Sequence, residues 1–305
     1  MSVDTSVDLG GLRLRNPVLT ASGTFGYGAE FAPFLDLRRL GGIVSKSLTL
    51  EPRSGNLPHR IAEAHAGMLN AIGLENVGVD AFIREKIPAL AAEVVIVASV
   101  FGREIDEYAQ ACERLSESPR VAGLEVNASC PHVRSGGIEF GQNPQLLASL
   151  VRAVRRASAK PLLVKLSPNV TSIAEMAKVC EAEGADAISL INTLQALDVD
   201  LETRRPKLRN GLGGLSGPAI LPVALRMVWQ ASRAVSIPVC GIGGIMTAED
   251  AVKFLVCGAT AVQVGTASYL NPAAAGEIAD GMVDWASRRG VSRLADLIGT
   301  LQPWS

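Results

Sequence analysis

The stretch GLEVNAS, residues 123–129, begins as a buried strand and ends as a set of polar groups. The apolar run from Val121 to Val126 stops at Asn127, Ser129, Cys130 and Pro131, and a polar, Gly-bearing segment follows. Near-continuous hydrophobicity of this kind marks a strand buried on both faces, as parallel strands are when helices cover them. Seven further runs share the pattern: Val18–Gly23, Gly42–Ser47, Val94–Val100, Leu162–Ser167, Ala187–Asn192, Val239–Gly244 and Ala261–Thr266. Helical patterns lie between most of them. Eight β/α alternations in 305 residues predict an α/β fold, a (β/α)8 barrel in one domain spanning residues 1–305. An open doubly wound sheet is the alternative, but no G-x-G-x-x-G opening supports it.

The intervening helices are amphipathic. In NPQLLASLVRAVRRAS, Leu146, Leu147, Leu150, Val151 and Val154 share a face that Arg152, Arg155 and Arg156 avoid. In TSIAEMAKVCEAEG, Ser172 and Glu175 are placed for a capping box, and Gly184 stops the helix. Three longer connections, Leu48–Ile72, Pro131–Gln142 and Thr193–Pro218, each follow a strand. All three therefore fall on the C-terminal face, where barrel enzymes keep their chemistry.

Bulk properties exclude several functions. The chain is 48% hydrophobic and 19% charged, which suits a large core and not disorder. A net charge of −1 gives no basic field for a nucleic-acid backbone. The N-terminus lacks the pattern of a signal peptide, and no apolar run reaches the ~20 residues of a membrane span. Cys112, Cys130, Cys180, Cys240 and Cys257 contain no C-x-x-C pair. That argues against a cysteine-only iron–sulfur or zinc site, gives no reason to expect a metal, and suits a reducing cytoplasm.

The strand ends supply the chemistry: Ser22, Lys46, Ser99, Asn127, Cys130, Lys165, Asn192 and Thr193. Lys46 and Lys165 sit in or at the end of apolar strands, and a buried lysine needs a partner. Two on one face suggest a bound anion or a ring that takes up negative charge; the bland reading is a rim lysine reaching water. Gly243-Gly244 and Gly265-Thr266 end the last two strands, where barrels commonly bind phosphate through backbone N–H groups. Tight turns alone would also explain them. Four cysteines read as small buried hydrophobes. Cys130, between a strand and a flexible loop, is the one placed to do chemistry. FMN and pyridoxal phosphate both fit a phosphate site with lysines. Two lysines and several neutral amides suit FMN better, because a Lys near N1/O2 stabilises its reduced anion.

Together SKSLTLEPRSGN (45–56), GMLNAIGLEN (67–76), EVNASCPHV (125–133), VKLSPNV (164–170), INT (191–193), GLSGPA (214–219), GIGGI (241–245) and VGTA (264–267) resemble dihydroorotate dehydrogenase. The pattern is most similar to the class 1B, NAD-linked catalytic subunit. The resemblance implies oxidation of (S)-dihydroorotate to orotate on FMN in pyrimidine biosynthesis. It carries FMN contacts to Ser22, Lys46, Ser47, Asn127, Lys165, Ile191, Gly217, Gly243, Gly244, Gly265 and Thr266. Ser99 joins them, although many relatives have Asn there. Substrate contacts carry over to Lys46, Asn70, Ala71, Ile72, Gly73, Leu74, Asn127, Asn192 and Thr193, and the base to Cys130, with Lys165 and Lys46 as catalytic cations.

The resemblance also implies a partner subunit carrying FAD and a 2Fe-2S cluster, and a homodimer within a heterotetramer. This chain has neither a dinucleotide fingerprint nor a cysteine cluster of its own. The fumarate-linked class 1A form and a dihydropyrimidine dehydrogenase type remain alternatives, as does a non-catalytic FMN-binding subunit. His132, where class 1A typically has Asn, favours class 1B.

Overall fold

The computed structural model describes residues 3–129, 140–302 and 304. Eight parallel strands form one sheet: β1 (Val18–Thr20), β2 (Ile43–Val44), β3 (Ile96–Val100), β4 (Val121–Asn127), β5 (Leu162–Lys165), β6 (Ala187–Leu190), β7 (Val239–Ile242) and β8 (Ala261–Val264). Their order is sequential from β2 through β8 and back to β1. A parallel bridge between Leu19 and Gly42 joins β1 to β2 and closes the sheet into the expected (β/α)8 barrel. Every residue of β3, β5, β6, β7 and β8 is buried, as the uninterrupted apolar runs require.

Helices α1 (Ile105–Ser116), α2 (Pro144–Ala157), α3 (Ile173–Ala182), α4 (Leu221–Ser232), α5 (Ala248–Val256) and α6 (Ala274–Arg288) follow β3 through β8 in turn. In α2, the Asn143 side chain accepts hydrogen bonds from the Gln145 and Leu146 N–H groups, both at 3.0 Å. Leu147, Leu150, Val151 and Val154 form its buried face, while Leu146 lies at the margin, 37% exposed. In α3, Ser172 accepts from the Glu175 N–H at 3.3 Å, and only that half of the expected box forms. After β2 the chain takes a helical course of changing pitch over residues 79–89, and after β1 it makes only two short turns.

The two ends of the barrel are closed differently. At the bottom, the hairpin Val7–Leu9/Leu12–Leu14 inserts Leu9, Leu12 and Leu14 against Leu19, Val44, Val97, Leu163, Ala187, Cys240 and Ala261. Gly10 turns this hairpin at φ 62°, and a Cβ there would lie 2.4 Å from the Asp186 carbonyl oxygen. At the top, the loops after β2 and β6 pair with each other. Ile61–Ala64, Gly67–Asn70, Gly213–Ser216 and Leu194–Ala196 form a four-stranded antiparallel sheet that roofs one side of the mouth. Two of the three long connections are thus ordered sheet. Most of the third, and Cys130 just before it, lie outside the described residues.

Candidate active site

A cavity of about 500 Å³ opens at the C-terminal ends of the strands, under the roof. That is within the usual size of a small-molecule site. Ser22 and Lys46 reach it just beyond β1 and β2, with Ser47 beside them. Asn127 and Lys165 reach it from the last residues of β4 and β5. Ile191, Asn192 and Thr193 follow β6, and Gly243, Gly244, Gly265 and Thr266 follow β7 and β8. The roof contributes Asn70, Gly217 follows its Gly213–Ser216 strand, and the turn after Asn70 adds Ala71, Ile72, Gly73 and Leu74. The expected residues therefore converge, with two exceptions. Ser99 is fully buried and does not line the cavity; its hydroxyl stands behind Ser47, 2.9 Å from the Ser47 oxygen. It lies one layer down inside the barrel, so it supports the wall instead of forming it. Cys130 falls outside the described residues.

The polar groups hold one another in place. Asn127 donates to the Ser47 hydroxyl at 3.3 Å, and its carbonyl oxygen accepts from Asn192 Nδ2 at 3.2 Å. Asn192 Nδ2 also donates to Ser129 Oγ at 3.0 Å, and its own oxygen accepts from the Thr193 N–H at 2.8 Å. The network fixes both amide orientations and leaves Asn127 a second N–H to offer a ligand. Lys46 is half-buried. Burial holds its ammonium below the ordinary lysine value, partly offset by Glu75 and reinforced by Arg60.

Lys165 is 4% exposed and donates to Ser22 Oγ at 3.1 Å. Below it lies Glu125, fully buried, whose Oε1 stands 3.7 Å from Lys165 Nζ. The other oxygen accepts from Ser189 Oγ at 2.9 Å and from Gln263 Nε2 at 2.5 Å. Sequence reasoning missed Glu125 and Gln263. The signal for Glu125 was a charge inside an apolar strand, the same one that singled out the lysines. Arg53 and Asn56 also line the cavity and were quoted only within a motif.

The glycine pairs are shaped to turn the backbone toward the cavity. Gly243 has φ 125° and Gly244 φ 75°, and a Cβ on Gly244 would sit 2.8 Å from the Leu221 nitrogen. Among the described residues, no loop backbone hydrogen bond uses the N–H groups of Gly243, Gly244, Gly265 or Thr266. Unused N–H groups on residues that line one cavity suit an anion. Gln263 Oε1 is likewise buried without a hydrogen-bond partner among the described residues. Cys112, Cys180 and Cys240 are fully buried, and burial pushes each thiol well up, so they are inert core groups as expected; Cys257, expected to be buried with them, is only part-buried, at the C-terminal cap of α5.

Two lysines, oriented amides and open N–H groups thus stand together at the barrel mouth. The model of the family described as dihydroorotate dehydrogenase matches residues 5–285. The chain belongs to the dihydroorotate dehydrogenase family. Among curated members, "Dihydroorotate dehydrogenase B (NAD(+)), catalytic subunit" of Trichlorobacter lovleyi is 59% identical over 298 residues, covering 97% of this chain and 98% of its own. The protein of the same description from Pelobacter propionicus is 57% identical, covering 99% and 100%. A dihydroorotate dehydrogenase structure from Eimeria tenella, in complex with ferulenol, superposes with a TM-score of 0.80 at 22% identity, covering 97% of this chain and 88% of its own. That likeness concerns the barrel. No helix among the described residues is long and apolar enough to cross a membrane.

Proposed function

We propose that this chain oxidises (S)-dihydroorotate to orotate on a bound FMN, as the catalytic subunit of an NAD-linked enzyme of pyrimidine biosynthesis. The observation that carries the proposal is the convergence of Lys165, Lys46, Asn127 and Asn192 in one cavity with the open N–H groups after β7 and β8. The donor set fits the cofactor. Gly243, Gly244, Gly265 and Thr266 would hold its phosphate, and Gln263 Oε1 is a spare buried acceptor for a ring N–H. Lys165 would place its charge where the ring becomes anionic. FMN, once bound, supplies the acceptor for the hydride leaving C6 of dihydroorotate.

The other tasks fall to the chain. Asn127 and Asn192 would hold the substrate's ring amides through paired donor and acceptor groups. Lys46 and the backbone of residues 70–74 would hold the carboxylate. Leu74 is in the left-handed region at φ 59°, and Asn76 fixes it there by donating to its carbonyl oxygen at 2.8 Å. Backbone held in a sparsely populated conformation beside a cavity is characteristic of ligand-holding loops. Cys130 is the base of this proposal and takes the proton from C5. The names of the relatives, which include both NAD(+) and "catalytic subunit", support electron transfer to NAD through a second polypeptide. We assign FAD and a 2Fe-2S cluster to that partner, a homodimer within a heterotetramer to the assembly, and the cytoplasm to its location.

The test is anaerobic. The purified chain should be yellow with FMN, and dihydroorotate should bleach it while dihydrouracil does not. A colourless protein, or equal bleaching by dihydrouracil, refutes the proposal.

A further inference from the structure

We infer that Glu125 is a positioning residue, which keeps Lys165 charged and aimed into the cavity; this rests on the flavin reading above. Glu125 is fully buried, and a bare carboxylate out of water is costly unless it is paired. Its two oxygens are used unequally. Oε2 takes the hydroxyl of Ser189 and the amide of Gln263. Oε1 takes no hydrogen bond and faces Lys165 Nζ at 3.7 Å. Two neutral donors from β6 and β8 therefore lock the carboxylate so that its free oxygen serves the lysine on β5.

Lys165 depends on this. It is 4% exposed, with Ser22 as its hydrogen-bond acceptor. Ser22 can stabilise an ammonium only as a dipole. Of the ionisable groups around Lys165, Cys240 on β7 stays a neutral thiol because burial pushes it up. Lys46, also lining the cavity, has the same sign. Among the described residues, Glu125 is thus the counter-charge. An ammonium buried without one gives up its proton.

A purely architectural ion pair would hold the barrel together without affecting the cofactor, so the test reads the cofactor. The midpoint potential of FMN in the intact holoprotein is measured from pH 6 to 9.5. In Glu125→Gln it should fall progressively below the parent as pH rises. The relative affinity for reduced over oxidised FMN should drop at least ten-fold, about 30 mV for a two-electron couple. In Lys165→Met the fall should be present at every pH, and adding Glu125→Gln should not deepen it. Should the glutamine variant fail to fold, Glu125→Asp, which keeps the charge but withdraws it, should show the same pH-dependent fall in smaller measure.

A Glu125 variant that tracks the parent, or lies above it, across the whole range overturns the inference. If Lys165→Met still shifts the potential, the flavin reading survives that result. Protein that carries no FMN refutes the flavin reading itself.

Discussion

Gly67→Ala should separate the site from the barrel that carries it. Gly67 starts the roof strand that pairs with Gly213–Ser216, in the register Met68 with Ser216, Leu69 with Leu215 and Asn70 with Gly214. A Cβ on Gly67 would lie 2.3 Å from the Ser216 carbonyl oxygen. Ordinary contact needs roughly 1 Å more. The oxygen has little room to retreat, because the next residue, Gly217, is already tight: its own Cβ would come within 2.8 Å of Gly67 Cα. Overpacking of this kind costs about 1–3 kcal/mol. The roof joins two loops and shares few contacts with the barrel core, so the strain is relieved by local opening of the roof. Orotate, which we propose is held by residues 70–74 and 192–193, should then bind about 5- to 150-fold more weakly, at 1.4 kcal/mol per decade. Titration of orotate against the visible spectrum of bound FMN measures this. A thermal scan of the same protein should move by no more than a few degrees. Parental orotate affinity in a folded Gly67→Ala protein would refute the role given to the roof.

Leu9→Ala, at the opposite end, should do the reverse. Leu9 is fully buried in the bottom hairpin, so its loss costs about 2–5 kcal/mol of stability, with orotate affinity of the folded protein unchanged; weakened binding would show that the ends are coupled. Lys46→Met should make the ligand-free protein more stable at pH 7. The folded-state pKa of Lys46 lies below its unfolded value, so the lysine's cost is complete below the folded value, shrinks as pH rises through it, and vanishes above about 10.4. Urea unfolding at pH 7 and 10.5 checks this, and an advantage that persists at the higher pH contradicts it. Native protein treated with iodoacetamide at pH 8 should keep Cys112, Cys180 and Cys240 unlabelled, because burial leaves them almost no thiolate. Mass spectrometry of the digest that finds any of them alkylated without unfolding overturns that reading.

The barrel was legible because its strands are buried on both faces and therefore read as plain apolar runs. Their ends were less legible. Val18–Gly23 was expected and β1 stops at Thr20; Ala187–Asn192 was expected and β6 stops at Leu190. The residues beyond leave the sheet to face the cavity, yet stay small or apolar enough to extend the pattern. The roof was illegible for a different reason. GMLN and GGLS are too short to announce strands, and their pairing spans distant parts of the chain. Ser99 shows a third limit. All five residues of β3 are fully buried, so the sequence cannot tell a group that lines the cavity from one that stands behind it. Glu125 carried the same signal as Lys165, but only the closed barrel shows that the two charges face each other.

The roof also sets a timetable for the protein's assembly. The Asn70 side chain reaches the Gly214 carbonyl across 144 positions of chain, and the cavity still needs Gln263 from the last strand and Thr266 just after it. A growing chain has Lys46 and Asn70 early, but the opposite wall arrives only when synthesis is nearly over. Contacts between such distant parts form late, because the entropy of closing the intervening chain must be met first. Binding competence is therefore an all-or-nothing property of the finished polypeptide, and a chain truncated before β8 has no half-formed site in which to hold a ligand.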